Sequence, residues 1–417
     1  MALGPSLAAP RPRAQSARTA PVASVVLKPG HVQPVWAGHP WVFAQAVERI
    51  EGGAQGGDEV EVKDARGNFL GRGLYSPGSA IPVRILTRER DRHVDAKLLG
   101  ARLEAAIQRR RAMGLPSAET TAVRLVHAEG DELPGLVVDQ LGDVLSVQFG
   151  TLGMKRRETV ILDALERLLG PRAIVDRTSE RAAKAEGFTA GQGVVRGDSG
   201  LSHFEVAEHG LRFRVPLELG QKTGFYVDQR DLRARAAELS KGRRVLDTYA
   251  FVGTFALGAA RAGASEVLAV DQSALALTVA AEAALLNGLE GKVRFECEDS
   301  VVALDRAGKH GGYDLVICDP PKLAPTRAAR ARALGMMRKL AGQAARATKP
   351  GGLLVLCSCS AAIGLPELTR ALSLGSTDVG LRAIVLERFF QGADHPVPAA
   401  FPEGLYLTSL IAEIGKG

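Results

Sequence analysis

Between residues 242 and 360, short apolar runs alternate with helical segments, and each run leads into a polar residue. The first is Arg244-Val245-Leu246-Asp247, followed by the loop Thr248-Tyr249-Ala250-Phe251-Val252-Gly253 and an alanine-rich helix predicted over 254–262. Next come Glu266-Val267-Leu268-Ala269-Val270-Asp271 and Val293-Arg294-Phe295-Glu296-Cys297-Glu298-Asp299. Tyr313-Asp314-Leu315-Val316-Ile317-Cys318-Asp319 and Gly352-Leu353-Leu354-Val355-Leu356-Cys357 complete the set. Runs of this length between helices read as buried parallel strands of a doubly wound α/β sheet. Such sheets bind ligands beyond the carboxyl ends of their strands. Asp271, Asp299, Asp319 and Cys359 all fall there.

Upstream, the pattern changes. Val25-Val26-Leu27, Glu59-Val60-Glu61-Val62, Phe69-Leu70-Gly71-Arg72-Gly73 and Pro82-Val83-Arg84-Ile85-Leu86 are short strands broken by glycine, which predicts a small β-barrel. By residue type, Trp41 and Phe43 in this region belong to a core more often than to a base-stacking platform. A helix follows over 95–113, with Leu98, Leu99, Leu103, Ala106 and Ile107 as its apolar stripe. A hairpin over 123–139, a strand over 144–149, a helix over 155–169 and a strand over 173–177 make a small α+β module. The expected organisation is a disordered basic tail over 1–22, the barrel over 23–92, the connecting α+β domain over 93–208 and the doubly wound domain over 209–417. His127, Glu129 and Asp131 stand close together, and a polar turn explains them better than metal or acid–base chemistry, since no second cluster offers ligands.

Charge narrows the list of partners. The formal net charge of +7 fits a polyanion, and its distribution says more than its sum. No acidic residue lies between Pro320 and Pro366, whereas Lys322, Arg327, Arg330, Arg332, Arg338, Lys339, Arg346 and Lys349 are basic. A face of one sign directly after Asp319 is expected to neutralise phosphates, with Lys322, Arg327, Arg330 and Arg332 foremost; a solvated amphipathic helix is the competing reading. The four cysteines, Cys297, Cys318, Cys357 and Cys359, lie on or beside predicted strands, which is no disulfide framework and points to a reducing cytoplasm. Two of them sit in apolar strand interiors, so no zinc or other metal site is expected. No apolar run approaches about 18 residues, so no membrane span is expected. Residues 1–22 lack the apolar core of a secretory signal, and an organelle transit peptide is the less favoured alternative to a disordered extension.

Asp271 lies 24 positions after Asp247 (271 − 247), near the offset at which an acid binds ribose hydroxyls in nucleoside-binding folds. Only Gly253 stands where a dinucleotide fingerprint has three glycines, so the loop is poorly built for a pyrophosphate. It suits a nucleoside cofactor without phosphates, of which S-adenosylmethionine is the commonest. The competing reading is that Asp271 only caps the next helix.

Asp319-Pro320-Pro321-Lys322 at a strand end, with adenosine-binding acids upstream, resembles a class I, Rossmann-like S-adenosylmethionine-dependent methyltransferase. Amino-methylating members usually place an aromatic after the two prolines, and Lys322 in that place argues against exocyclic-amine chemistry. Leu356-Cys357-Ser358-Cys359-Ser360 instead resembles the catalytic-cysteine motif of RNA cytosine-5 methyltransferases. His39-Pro40-Trp41-Val42-Phe43 and Gly71-Arg72-Gly73-Leu74-Tyr75-Ser76-Pro77 resemble the RNA-binding PUA domain that opens one such family. Gly220-Gln221-Lys222-Thr223-Gly224-Phe225-Tyr226-Val227-Asp228-Gln229-Arg230, Asp394-His395-Pro396 and Pro402-Glu403-Gly404-Leu405-Tyr406-Leu407 resemble other parts of the same family. Together these segments, spanning roughly 25–414, are similar to the bacterial 23S ribosomal RNA large-subunit cytosine-5 methyltransferases.

The resemblance implies methyl transfer to carbon 5 of a cytosine in 23S rRNA before subunit assembly is complete. Carbon 5 is a poor nucleophile, so a thiolate first adds to carbon 6. Cys359, followed by Ser360 as in the motif, is the implied nucleophile, and Asp319 is implied to hold the base and stabilise charge at its ring nitrogen. The implied cofactor contacts are Asp228, Gln229, Asp247, Phe251, Gly253, Asp271, Asp299 and Asp319. Asp228 is also expected to cap the helix that begins near it. A free thiol titrates near pH ~8.5, so Cys359 needs nearby positive charge, for which Lys322 is the candidate. Lys322 also occupies the place of a second cysteine that relatives use for product release, and Cys318 and Cys357 are expected to be packing residues. Two departures are evident: Ala250-Phe251-Val252-Gly253-Thr254-Phe255 replaces Ser-Tyr-Thr-Gly-Gly-Phe, and Met337-Arg338-Lys339-Leu340-Ala341 replaces a Tyr-Lys-Glu-Leu-Asn-like stretch. They leave open a divergent paralogue acting on another RNA, or an RNA-binding relative without activity. RNA is the expected partner, no membrane is involved, and a homodimer stays open.

Overall fold

The computed structural model describes residues 23–219, 224–323, 330–360 and 362–417, so the tail over 1–22, the start of the resembling segment at 220–223 and Arg327 lie outside the described residues. The first unit comprises β1 (Ser24–Leu27), α1 (Gln33–Trp36), β2 (Trp41–Val42), β3 (Val47–Glu51), β4 (Glu59–Lys63), β5 (Phe69–Tyr75) and β6 (Val83–Thr87). Its six strands run β2-β6-β5-β4-β1-β3 over a core of Val25, Leu27, Val35, Val42, Val60, Val62 and Val83. β3 escapes sequence reading because none of its side chains is buried. Trp41 is half-buried against Phe401, with ring centroids 4.6 Å apart, and its Nε1 donates to Glu129 Oε1 at 2.7 Å. It therefore joins this sheet to the two later units.

The second unit begins with α2 (Ala96–Ala112), whose N-terminus is capped by Asp95 accepting from the Leu98 amide at 2.8 Å. It continues through β7 (Ala122–His127), β8 (Leu136–Leu141), β9 (Val144–Phe149), α3 (Leu152–Lys155), α4 (Glu158–Leu169), β10 (Ala173–Asp176), α5 (Glu180–Glu186) and β11 (Gly193–Gly197). The sheet order is β11-β10-β9-β8-β7. The helix expected over 155–169 is interrupted at Arg156 and Arg157, where Arg157 Nη1 reaches back to the carbonyls of Gly57 at 3.0 Å and Gly153 at 2.9 Å.

A hairpin, β12 (His203–Glu208) and β13 (Leu211–Pro216), precedes the largest sheet. That unit comprises α6 (Arg230–Leu239), β14 (Arg244–Thr248), α7 (Thr254–Arg261), β15 (Glu266–Asp271), α8 (Ala274–Leu286), β16 (Arg294–Cys297), α9 (Ser300–Lys309) and β17 (Tyr313–Cys318). It ends with α10 (Arg330–Ala347), β18 (Thr348–Ser358), α11 (Leu365–Asp378), β19 (Leu381–Phe390) and β20 (Thr408–Lys416). Seven strands run β16-β15-β14-β17-β18-β20-β19, and β20 alone is antiparallel to its neighbours, so the other six strands point the same way. An apolar core covers each face. Strand order reverses at β14, and the crevice beyond the ends of β14 and β17 is where such sheets bind ligands.

Buried charge fastens this unit to the second. The fully buried Arg110 donates to Asp131, to the Arg124 carbonyl at 2.8 Å and to the Asp394 carbonyl at 2.6 Å. Asp394 Oδ2 accepts from the Arg124 amide and from Arg230 Nη2, both at 3.0 Å. Buried charges persist only when paired in this way. The His127 ring packs 5.0 Å from that of His395, and burial, reinforced by Arg124, pushes its pKa down to about 2. His127 and Asp131 thus belong to a structural joint, and the described residues hold no cluster fit for a metal. No helix among them is long and apolar enough to cross a membrane.

Candidate active site

β14 delivers Asp247 to the crevice. Its Oδ2 accepts the Ala256 amide at 3.0 Å, while the buried Oδ1 has no partner among the described residues. Burial first, then the charges of Asp319 and Asp271, hold this carboxyl well above its ordinary range. The following loop is bent by Tyr249, Phe251 and Gly253, all in left-handed backbone (φ +61°, +50° and +74°). Asp271, at the end of β15, ties it down: Oδ2 accepts the Phe251 amide and Oδ1 the Ser273 amide, each at 2.8 Å. α8 is capped by Ser273 rather than by Asp271. A carboxylate offers about four acceptor positions, so Asp271 keeps capacity for a ligand. A Cβ on Gly253 would lie 3.1 Å from Ala280 Cβ, so both sterics and φ require glycine there.

Asp319 stands directly after β17, where Gln229 Nε2 donates to its Oδ2 at 2.9 Å. β18 stops at Ser358, and Cys359 follows, half-buried, at the start of a turn closed by the Ile363 amide donating to the Ser360 carbonyl at 2.8 Å. The other strand cysteines are unlike it. Cys357 and Cys318 are fully buried, and burial pushes the Cys357 thiol far up and that of Cys318 to about 12. Neither has ready access to the thiolate form.

Tyr226 shows how closely these groups converge. Its phenol is held above its ordinary pKa by burial, then by the charges of Asp319, Asp228, Cys359 and Asp271. Its ring meets that of Phe251 edge-on, with centroids 5.1 Å apart. The Tyr226 carbonyl accepts from Arg233, whose guanidinium makes two 2.6 Å bonds to Glu208 of β12. Tyr226 lies in a segment that resembles the family, but the sequence alone gives it no place in the site.

Other expected residues stand differently. Asp228 does not open α6 as expected: the N-cap position is Gln229, without a side-chain cap bond, and Asp228 accepts from the Tyr406 hydroxyl at 2.6 Å. Asp299 is exposed and caps α9, accepting the Val301 amide at 2.8 Å and a bond from Gln272. Lys322 is exposed in the loop after Asp319 and makes no ion pair among the described residues. The basic run is not a face of one sign. Arg330 pairs with Glu367 and Arg338 with Asp378, both on α11, and Lys349 pairs with Asp314 of β17 at 2.8 Å. Arg332 is exposed, with no ion pair among the described residues. Met337 and Ala341, in the departing segment, are buried in the core beneath α10.

The donor and acceptor set fits S-adenosylmethionine. A buried carboxylate oxygen without a partner among the described residues calls for a donor such as an amino-acid ammonium. Asp271→Ala is expected to weaken cofactor binding by about 1.5–3 kcal/mol, the scale of a lost charged hydrogen bond. Calorimetry on the folded variant checks this, and unchanged affinity would remove Asp271 from the site.

The sheet order and the acids around one crevice define a class I S-adenosylmethionine-dependent methyltransferase. Residues 177–376 match the S-adenosylmethionine-dependent methyltransferase family model, and residues 25–88 match a PUA-like domain. A ribosomal RNA large subunit methyltransferase I of Erwinia tasmaniensis is 34% identical over 392 residues, covering 94% of this chain and 99% of that protein. Its namesake in Shewanella denitrificans is 35% identical over 397 residues, with coverage of 94% and 99%. The chain belongs to the ribosomal RNA large subunit methyltransferase I family. A solved putative methyltransferase complexed with SAH shares the fold, with a TM-score of 0.81 at 17% identity, over 93% of this chain and 99% of the other. A putative methyltransferase from Streptococcus mutans superposes with a TM-score of 0.79, at the same identity and coverage.

Proposed function

We propose that this chain methylates carbon 5 of a cytosine in 23S ribosomal RNA through a covalent adduct of Cys359. The observation that carries the reading is the position of Cys359, half-buried just past the end of β18 and next to the strand β17 that leads into Asp319, while Cys357 and Cys318 are fully buried. The Cys359 thiolate adds to carbon 6, forming an S–C bond and moving the ring's π electrons toward carbon 5. Asp319, held by Gln229, receives the pyrimidine edge and stabilises the charge that develops at its ring nitrogen. When bound, S-adenosylmethionine supplies the methyl group that carbon 5 takes up. Loss of the carbon 5 proton to a base and cleavage of the S–C6 bond restore the ring and return the thiolate.

In this reading the free oxygen of Asp247 meets the cofactor's ammonium and Asp271 its ribose. Phe251, Gly253 and Asp299 line the same end, and Asp228 and Gln229 close it from the start of α6. Lys322 and Arg332 face the RNA backbone. Substrate of this kind places the protein in the cytoplasm. All these residues come from one chain, so the chemistry does not call for a homodimer.

Purified protein incubated with a 23S rRNA transcript and methyl-labelled S-adenosylmethionine tests the proposal. Label should appear as 5-methylcytidine after digestion to nucleosides. Label in another nucleoside, or RNA binding without transfer, would overturn it.

A further inference from the structure

α10 carries basic side chains of two kinds. Arg330 and Arg338 are neutralised by Glu367 and Asp378. Arg332, Lys339 and Arg346 are exposed and make no ion pair among the described residues. These three recur every seven residues. Seven residues fall about 20° short of two full turns, so the three occupy one stripe. At 1.5 Å of rise per residue, neighbours stand about 10.5 Å apart along the axis and the whole stripe spans about 21 Å.

The ground beside the stripe suits a chain of anions. A groove of about 540 Å³ runs between α9, α10 and α11, lined by Lys339 and Arg346 together with Gly335, Gly342 and Gly375. A Cβ on Gly342 would lie 2.6 Å from the Gly375 carbonyl oxygen, so α10 and α11 meet backbone to backbone. Of the two acids in the groove, Asp378 is neutralised by Arg338, and Asp305, on α9, accepts from the Gln343 amide at 3.0 Å and keeps its charge. Val379 is the only large apolar side chain in the lining. A protein partner would need an apolar anchor at its centre, which this groove does not provide, whereas a phosphodiester backbone needs spaced cations. α10 follows the loop after Asp319 and leads into the start of β18, so it runs from the active-site rim towards the opposite end of the sheet.

We propose that Arg332, Lys339 and Arg346 form a track for the phosphodiester backbone of the substrate RNA, holding it at a distance from the target cytosine. The inference rests on the RNA methyltransferase reading above and assigns the binding to the unpaired residues of α10.

The test measures binding of the full chain to a 23S rRNA transcript over a salt series, beside methyl transfer. Each lost phosphate contact lowers the log–log salt slope by about 0.7–0.9, so the triple variant Arg332→Gln, Lys339→Gln, Arg346→Gln should lose roughly 2–3 units of slope. At 0.15 M salt that corresponds to roughly hundredfold weaker binding, with KM for RNA raised and kcat retained. The double variant Arg330→Gln, Arg338→Gln should keep nearly the full slope. An unchanged slope in a folded triple variant would overturn the track, as would an equal loss in the double variant. If the triple variant instead lost only an acidic protein partner, the occupant would be wrong. A wild-type chain that neither bound nor methylated RNA would sink the broader reading, a distinct result from failure of the stripe alone.

Discussion

Cys359→Ser is expected to abolish both methyl transfer and covalent trapping on RNA containing 5-fluorocytosine, while Cys357→Ser retains both. Fluorine at carbon 5 cannot leave as a proton does, so the wild-type adduct persists and migrates as a protein–RNA species. Serine at 359 has no thiolate-like form at neutral pH without a dedicated base, so neither adduct nor turnover should be seen. Cys357 lies within β18, fully buried, with a thiol pushed far above its ordinary pKa by burial. Its replacement puts a polar hydroxyl into that core and should cost about 1–2 kcal/mol of stability without touching chemistry. Trapping that vanished in the Cys357 variant and survived in the Cys359 variant would reverse the assignment.

Asp319→Asn should lower kcat by about 10²–10³, the loss seen when one donor or charge facing a transition state is removed. Asparagine preserves size, and its carbonyl can still accept from Gln229 Nε2, so the loop should keep its place. What it lacks is the ability to exchange a proton with the ring nitrogen as carbon 6 is attacked. The loss should therefore fall on kcat, read by single-turnover methyl transfer at saturating RNA and cofactor. A variant with wild-type single-turnover rate would take Asp319 out of the chemistry.

How much of this was legible depended on how local the cause was. β9 and β15 occupy the spans read from their apolar runs, because each is a compact stretch between turns or helices. β12, β13, β19 and β20 are harder to read, since their partly exposed or antiparallel surroundings leave a weaker signal than a buried parallel strand. The basic run after Asp319 looked unopposed because its acidic partners lie elsewhere: Glu367 comes 37 positions after Arg330, and Asp378 comes 40 after Arg338. Asp228 looked like a helix cap for the same reason, since Tyr406 follows it by 178 positions. Tyr226 was hidden because Asp319 and Cys359 approach it only in the folded chain. The acids at the strand ends were visible, because the fold rule that places ligands there needs only the strands.

Cytosine-5 methylation of 23S rRNA is tested most directly by mapping 5-methylcytosine across all RNA from cells with and without this protein. A cytosine in 23S rRNA should lose its 5-methyl group when the protein is absent and regain it with the wild-type chain, but not with Cys359→Ser. An unchanged map of 23S rRNA, or a lost mark confined to another RNA, would contradict it.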